Sequence, residues 1–384
     1  MKKVSKGEKK MIVYILGFLI SMILIWVSEK KIESKKTKVV LKILAIVPLF
    51  LISALRYDVG TDYIKRYTND YLNMAKGMDI SNLEIGFKFI NYICLLFTQE
   101  PYLLFIITSF IILTLFFITI YKESKNTLLS VTIFFLGAYF FGSLNLVRQY
   151  IAIGFLFVGY RFLLSDNKKK MYIGFITCAI LAFLMHSSSI VGFVLIFLNR
   201  KMLANIKWIL PVSIILLILN ENIMKVLGLI IEKTRFNVYL SGNMARGEAS
   251  ILNILQNLIV YIWMYSIYWW KNKNNEEISK EAILLLNIQG ISTLVTVAGV
   301  CHMQFSRIAL YFYVFQILSI PYYISIMPFK RIAEKINKNI DENKVKILTI
   351  SVVIIAFMGM FCYTNIINND NEVVPYKTVF EIKD

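Results

Sequence analysis

The sequence predicts an all-α, polytopic membrane protein with about 12 transmembrane helices plus one short interfacial or re-entrant helix. Of its 384 residues, 58% are hydrophobic and only 17% are charged, where a soluble domain is nearer half apolar and a quarter charged. Several apolar runs exceed the ~18 residues that make a spanning helix the default reading. The formal net charge of +18 is mostly lysine in short loops between those runs, as the positive-inside rule requires of cytoplasmic loops. In a soluble chain such an excess would point to nucleic acid. Here topology accounts for it, and no nucleic-acid partner is expected.

The first run, Met11 to Val27, is followed by "SEKKIESKKTK" and not by a small-residue cleavage site. It therefore reads as a span and not as a removable leader. Lysine-rich loops occur at residues 28–38, 122–125, 165–170, 199–207, 271–280 and 330–346. Placing them all in the cytoplasm gives spans near 11–27, 39–55, 101–121, 127–142, 146–164, 171–186, 187–198, 206–220, 251–270, 281–300, 305–328 and 347–366. Residues 1–366 then form a single membrane domain, and 367–384 a polar C-terminal tail.

Two places resist this threading. The stretch "MYIGFITCAILAFLMHSSSIVGFVLIFL" has 28 residues, long for one helix and short for two at ~1.5 Å per residue. One continuous helix would export Arg200, Lys201 and Lys207, so a break near "HSSS" is preferred. At the N-terminus, "MKKVSKGEKK" carries as many lysines as the 28–38 loop, and charge cannot orient the first helix. If that end is inside, "IGFKFINYICLLF" must cross. At 13 residues it is too short for an ordinary ~20-residue span. The outside placement, with this segment at the interface or re-entrant, is therefore preferred.

Under that topology six of the nine arginines (Arg56, Arg66, Arg148, Arg235, Arg246 and Arg307) and both histidines fall outside or at outer helix ends. An outward arginine set asks for an anion, and the guanidinium fork suits phosphate.

Several chemistries lack their residues. No cytoplasmic loop has room for a soluble nucleotide-binding domain, and neither a phosphate-binding glycine loop nor a dinucleotide fingerprint occurs. There is no D-x-D pair to hold a divalent ion, and no H-E-x-x-H. The four cysteines, Cys94, Cys178, Cys301 and Cys362, are too scattered for a zinc site or disulfide framework and read as small buried hydrophobes. No cofactor is expected. The substrate must arrive through the membrane or from outside it.

Four polar stretches remain. "LRYDVGTDYIKRY" holds Arg56, a turn at Gly60, Asp62, Tyr63 and Tyr67. In "SLNLVRQYIAIGF", Asn145 and Arg148 share a helix face by their i,i+3 spacing. "LMHSSSIVGF" puts His186 at the break between two short helices, and in "CHMQFSRIALYFYVF" Arg307 is followed one turn later by Tyr311. Each has an ordinary explanation: arginines snorkel to headgroups, tyrosines form interfacial belts, Asp62 caps a turn, and His186 is a bonded structural residue. Four such stretches on one face outweigh those single readings, because ionisable groups at membrane depth are costly.

At these residues the chain resembles the EpsG family of bacterial exopolysaccharide proteins, relatives of Wzy-type polysaccharide polymerases. The resemblance rests on "LRYDVGTDYIKRY", "LVRQYIAIGFLFVGYRFL", "AILAFLMHSSSIVGF" and "FSRIALYFYVFQILSIPYY", in that order over nearly the whole chain. One departure is "EIGF" at residues 84–87, where the family often has "EPGF". The resemblance implies a GT-C-like, metal-independent glycosyltransferase in the bacterial cytoplasmic membrane, its site facing outside. Its substrate would be undecaprenyl-pyrophosphate-linked oligosaccharide, its product extracellular or capsular polysaccharide, and its partners the bilayer and other exopolysaccharide assembly proteins. Arg148, Arg307 and Arg56 are then the expected pyrophosphate contacts. His186 and Asp62 compete as general base, with His186 preferred because imidazole titrates near neutrality. Tyr63, Tyr67, Asn145 and Tyr311 are candidate sugar contacts, and the loops at 68–83 and 234–250 candidate determinants of sugar choice. The rival classes are a flippase or transporter for the same lipid, a membrane O-acyltransferase acting on polysaccharide, and a non-catalytic assembly partner.

Overall fold

Helices make up 77% of the described residues. The computed structural model describes residues 4–81, 83–199, 201–219, 250–337 and 340–381, and no strand occurs among them. Among these residues six segments are long and apolar enough to cross a membrane: Met11–Lys30, Lys35–Ala54, Tyr102–Glu123, Ile251–Lys273, Lys280–Ala298 and Glu342–Ile367. Two bent pairs, Thr127–Leu136 with Tyr139–Asn145 and Gln304–Tyr313 with Gln316–Ser325, raise the count to eight. The protein is thus a multi-pass helical membrane protein. The four remaining expected spans fall on helices that do not reach that length and composition: Val147–Leu163, Lys168–Met185, Ser187–Phe197 and Ile206–Ile218.

Apolar side chains point outward along these helices. Ile347, Leu348, Val352 and Ile355 on Glu342–Phe361 are each more than half exposed. In water that stripe would be an aggregation hazard. In hydrocarbon it meets a solvent as apolar as itself, and packing between helices is left to shape and polar contacts.

The chain divides into two compact units, Met1–Val158 with Ile180–Ser187 and Pro328–Asp384, and Gly159–Ala179 with Ser188–Met327. In the first unit α1 (Val4–Lys30) packs on α2 (Lys35–Leu44), α3 (Val47–Ala54) and α7 (Thr127–Leu136). Helix α6 (Tyr102–Glu123) covers α3, and the last long helix, Glu342–Phe361, covers α7. The core is built from rings: Phe18 stacks on Phe135 at 4.4 Å, and Phe135 and Phe141 both meet Phe361. Between α7 and α8 (Tyr139–Asn145) the axis turns by 50°. Ala138 makes that turn in the left-handed region, φ 62°, a conformation costing ~1–2 kcal/mol for a residue with a Cβ. The turn sets the direction from which α9 (Val147–Leu163) departs, and with it Arg148.

The C-terminal segment is not a free tail. Tyr14 donates to the Val373 carbonyl at 3.0 Å and Tyr376 to that of Ile52 at 3.0 Å. Tyr57 N–H and Val379 N–H bond the carbonyls of Lys377 and Leu55 at 3.0 Å, a clip around the isolated antiparallel Arg56–Thr378 bridge.

In the second unit α11 (Ile206–Ile218) and α12 (Ile251–Lys273) pack on α13 (Lys280–Ala298), followed by α14 (Met303–Tyr313) and α15 (Gln316–Ser325). Buried amides hold them together. Gln289 donates to Asn257 Oδ1 at 3.1 Å, Ser292 to the same atom at 2.8 Å, and Gln316 to Gln289 Oε1 at 3.3 Å. Asn287 bonds the backbone at Leu198, Lys201, Leu203 and Ala204 and so fixes the loop that precedes α11. Satisfied networks of this kind specify which helices meet where the hydrophobic effect does not.

Candidate functional site

The expected break near "HSSS" is a change of helix type. The α-helical ladder of α10 (Lys168–Met185) closes with His186 N–H on the Ala182 carbonyl at 3.0 Å. From Ser187 to Phe197 the chain is 3-10 helical. Serines compete with the helical backbone for hydrogen bonds, which explains why three of them end the ladder. An 11-residue 3-10 run is far beyond the usual three or four residues and marks a hinge or a site under constraint.

At this joint a residue singled out by no motif completes the chemistry. Glu84, extended at φ −65°, ψ 145°, precedes α5 (Ile85–Leu95) and does not cap it. One carboxylate oxygen, Oε2, accepts from Arg148 Nη1 at 2.5 Å. The other, Oε1, meets His186 Nδ1 at 2.8 Å and accepts from Ser187 N–H at 3.2 Å. The Arg148 side chain is 4% exposed, Glu84 14% and His186 24%, so the imidazole is the most accessible of the three. With its Nδ1 bonded to a carboxylate, His186 carries the proton there and leaves Nε2 free to accept another.

Close backbone approach makes this arrangement possible. A Cβ on Gly86 would lie 2.8 Å from the Leu184 carbonyl oxygen, so only glycine lets α5 reach the end of α10 and present Glu84 there. Arg148, the second residue of α9, also packs over the Phe87 ring at 5.9 Å.

Burial pushes the Glu84 carboxyl up, but the His186 hydrogen bond and the charge of Arg148 outweigh it and hold the group at about 2. The folded state therefore resists protonation where the unfolded chain, near the ordinary 4.5, accepts it. The resulting stability is complete above the ordinary value and is lost as pH falls towards 2. In detergent, thermal unfolding of the wild type is expected to steepen in its pH dependence between pH 5 and pH 3, relative to Glu84→Gln. Parallel curves would show that Glu84 is not the linked group.

The other expected site residues take different places. Arg56 is 1% exposed and lies 4.9 Å over Phe105. Its guanidinium bonds the Ser53 carbonyl, Ser109 Oγ at 3.4 Å and the Leu144 carbonyl at 3.4 Å. Its polar contacts all hold the loop to α3, α6 and α8. Asn145 is likewise occupied: Oδ1 accepts from Thr61 N–H at 2.8 Å, and Nδ2 donates to Asn371 Oδ1 at 2.8 Å. Gly60, at φ 102°, lies so close to that amide that no side chain fits.

Asp62 heads a short π-helix, Tyr63–Thr68, without capping it through its side chain. Tyr67 is buried, and its phenol is pushed up by burial while Arg148 pulls it back. Tyr63 stacks on Phe105 at 3.9 Å and is pushed up to about 12 by burial, so it remains an O–H donor. Asp70, in α4 (Asn69–Ala75), is raised by burial against the lowering charge of Arg148.

Arg307 and Tyr311 belong to α14 in the second unit, where Tyr311 shares a hydrogen bond with Ser188 at 3.0 Å. His302 caps that helix by accepting from Gln304 N–H at 3.1 Å. Arg235, Arg246 and the 234–249 part of the proposed specificity loop lie outside the described residues. No grouping of three or more His, Cys, Asp or Glu able to hold a metal occurs among the described residues.

Two of the expected residues, Arg148 and His186, are thus joined, and the joining residue is Glu84. The only signal for it in the sequence is an acid opening "EIGF", immediately before a helix too short to cross. Residues 39–378 match the family model described as the EpsG family. No curated protein and no solved structure gives a significant match to the chain.

Proposed function

The chain belongs to the EpsG family, and from that premise we propose that it polymerises undecaprenyl-pyrophosphate-linked oligosaccharide repeat units at the outer face of the cytoplasmic membrane. The proposal includes a GT-C-like architecture of about twelve spans, in which α9, α10, the 3-10 helix and α11 supply the shorter ones. It also includes independence from metal, with arginine taking the charge that a cation would otherwise take.

The observation that supports it most is the Arg148–Glu84–His186 cluster. The acceptor hydroxyl oxygen bonds to the anomeric carbon of the donor glycan, and the carbon–oxygen bond to pyrophosphate breaks, its electron pair leaving with the phosphate. His186 Nε2 takes the hydroxyl proton while Glu84 steadies the resulting imidazolium through Nδ1. Charge growing on the pyrophosphate is met by Arg148, the fork geometry matching phosphate oxygens; Arg307 keeps its sequence-based assignment as a second pyrophosphate contact. Because Arg148 is paired with Glu84, pyrophosphate must share or take over that guanidinium. Asp62 is the alternative base, and Arg56 supports the loop that carries it.

The purified full chain, given lipid-linked repeat units in proteoliposomes, is expected to release undecaprenyl pyrophosphate and form polymer equally well with and without EDTA. Absence of product with an intact lipid-linked substrate would overturn the assignment. A transporter for the same lipid is the second reading, favoured by the helix discontinuity at His186, a common device of transport sites. It would leave single repeat units inside cells that lack the protein, whereas loss of a polymerase leaves them outside.

A further inference from the structure

A cavity of about 420 Å³ lies in the first unit, beside the loop that begins at Arg56. It shares no lining residue with the Glu84 cluster. Its walls are the rings of Tyr57, Tyr63, Tyr102 and Phe380 with aliphatic Leu55 and Ile106, and its polar edge is at Glu100. The C-terminal segment forms one side, held by the clip between Val379 and Leu55 at 3.0 Å. The volume is within the ~300–1,000 Å³ range of ligand sites.

We propose that this cavity binds an electrically neutral stretch of glycan, holding acceptor or product chain apart from the reacting bond. The proposal rests on the reading that the protein handles polysaccharide. Charge on the two sides narrows the occupant. Arg56 lies 5.8 Å from the Tyr63 ring, which disfavours a cation. Glu100, which has no ion pair among the described residues, disfavours a phosphate or a uronic acid.

A polyprenyl or acyl chain would suit the aromatic walls but would leave the polar groups unmet. Tyr63 lines the cavity, and its hydroxyl is not among the fully enclosed polar atoms left without a partner, so the phenol is a donor and acceptor that an occupant of the cavity can use. A pyranose answers all three features. Its C–H face lies on aromatic rings, and its hydroxyls meet the Tyr63 phenol and the Glu100 carboxylate.

The test uses the full chain in nanodiscs and, as probe, fragments released by mild acid from the host's own polysaccharide, with binding read by saturation-transfer NMR. Tyr102 is 45% exposed, so Tyr102→Ala is not expected to disturb folding. It should weaken fragment binding at least tenfold, and Glu100→Gln and Tyr63→Phe should each weaken it severalfold. Polymer made by these variants should be shorter than wild type. Wild-type affinity in all three would overturn the proposal. So would a variant that keeps fragment binding but loses undecaprenyl phosphate from the same discs, which would make the cavity a lipid site. Arg148→Lys separates this inference from the functional reading. If that variant polymerises normally, the assignment of the Glu84 cluster falls, while loss of fragment binding in Tyr102→Ala still upholds the cavity.

Discussion

Arg148→Lys is expected to reduce polymer synthesis by at least ~100-fold, the scale of removing a well-placed donor from a developing oxyanion, at unchanged protein level in the membrane. Lysine keeps the positive charge, so Glu84 is not left alone in a buried position. It replaces a planar fork with a single ammonium, which cannot hold a carboxylate and a phosphate oxygen in fixed geometry at once. Arg148→Ala is a poorer experiment. Breaking one side of a buried ion pair costs ~3–5 kcal/mol, so loss of polymer could reflect loss of folded protein. Pairing the alanine with Glu84→Gln removes both charges and should restore membrane levels without restoring polymer. Wild-type polymer from Arg148→Lys would remove Arg148 from the pyrophosphate site.

His186→Ala is expected to lower the rate with purified lipid-linked substrate by ~10²–10⁴-fold, the range for a general base, with little change in KM. Glu84→Gln should fall between wild type and that variant, because glutamine still fills the space but does not stabilise an imidazolium. Asp62→Asn discriminates between the two candidate bases. The Asp62 side chain does not cap its helix, and no contact joins it to the Arg148–Glu84–His186 cluster among the described residues. It is expected to retain polymerisation within a few fold. The reverse outcome, an inactive Asp62→Asn beside an active His186→Ala, would transfer the role to Asp62.

Both experiments turn on Glu84, which the linear sequence hides for a physical reason. It is 64 residues from Arg148 and 102 from His186, and no periodicity relates positions so far apart. Its immediate context also misleads. An acid just before a helix is expected to serve that helix's dipole, and only the folded chain shows the carboxylate turned to Arg148 and His186 instead. Gly86 is equally mute in sequence, since its value lies in a backbone approach to Leu184 that only packing creates. The C-terminal residues were legible as polar but not as bound. Tyr376 and Val373 are buried through partners in α1 and α3 more than 300 residues away.

Composition and run length are enough to establish a helical, multi-pass membrane protein, because hydrocarbon leaves the backbone few other ways to satisfy its hydrogen bonds. The clustering of arginine and histidine against the lysine pattern is enough to put Arg148 and His186 among the candidates, with Arg56 and Arg307, because charge in a membrane is costly. Which of the polar residues meet is a matter of packing. The fold encloses Arg56 among Ser53, Ser109 and Leu144, and it occupies Asn145 with Thr61 and Asn371. Among the described candidates Arg148 and His186 share a carboxylate, because a glycine lets α5 close on the end of α10.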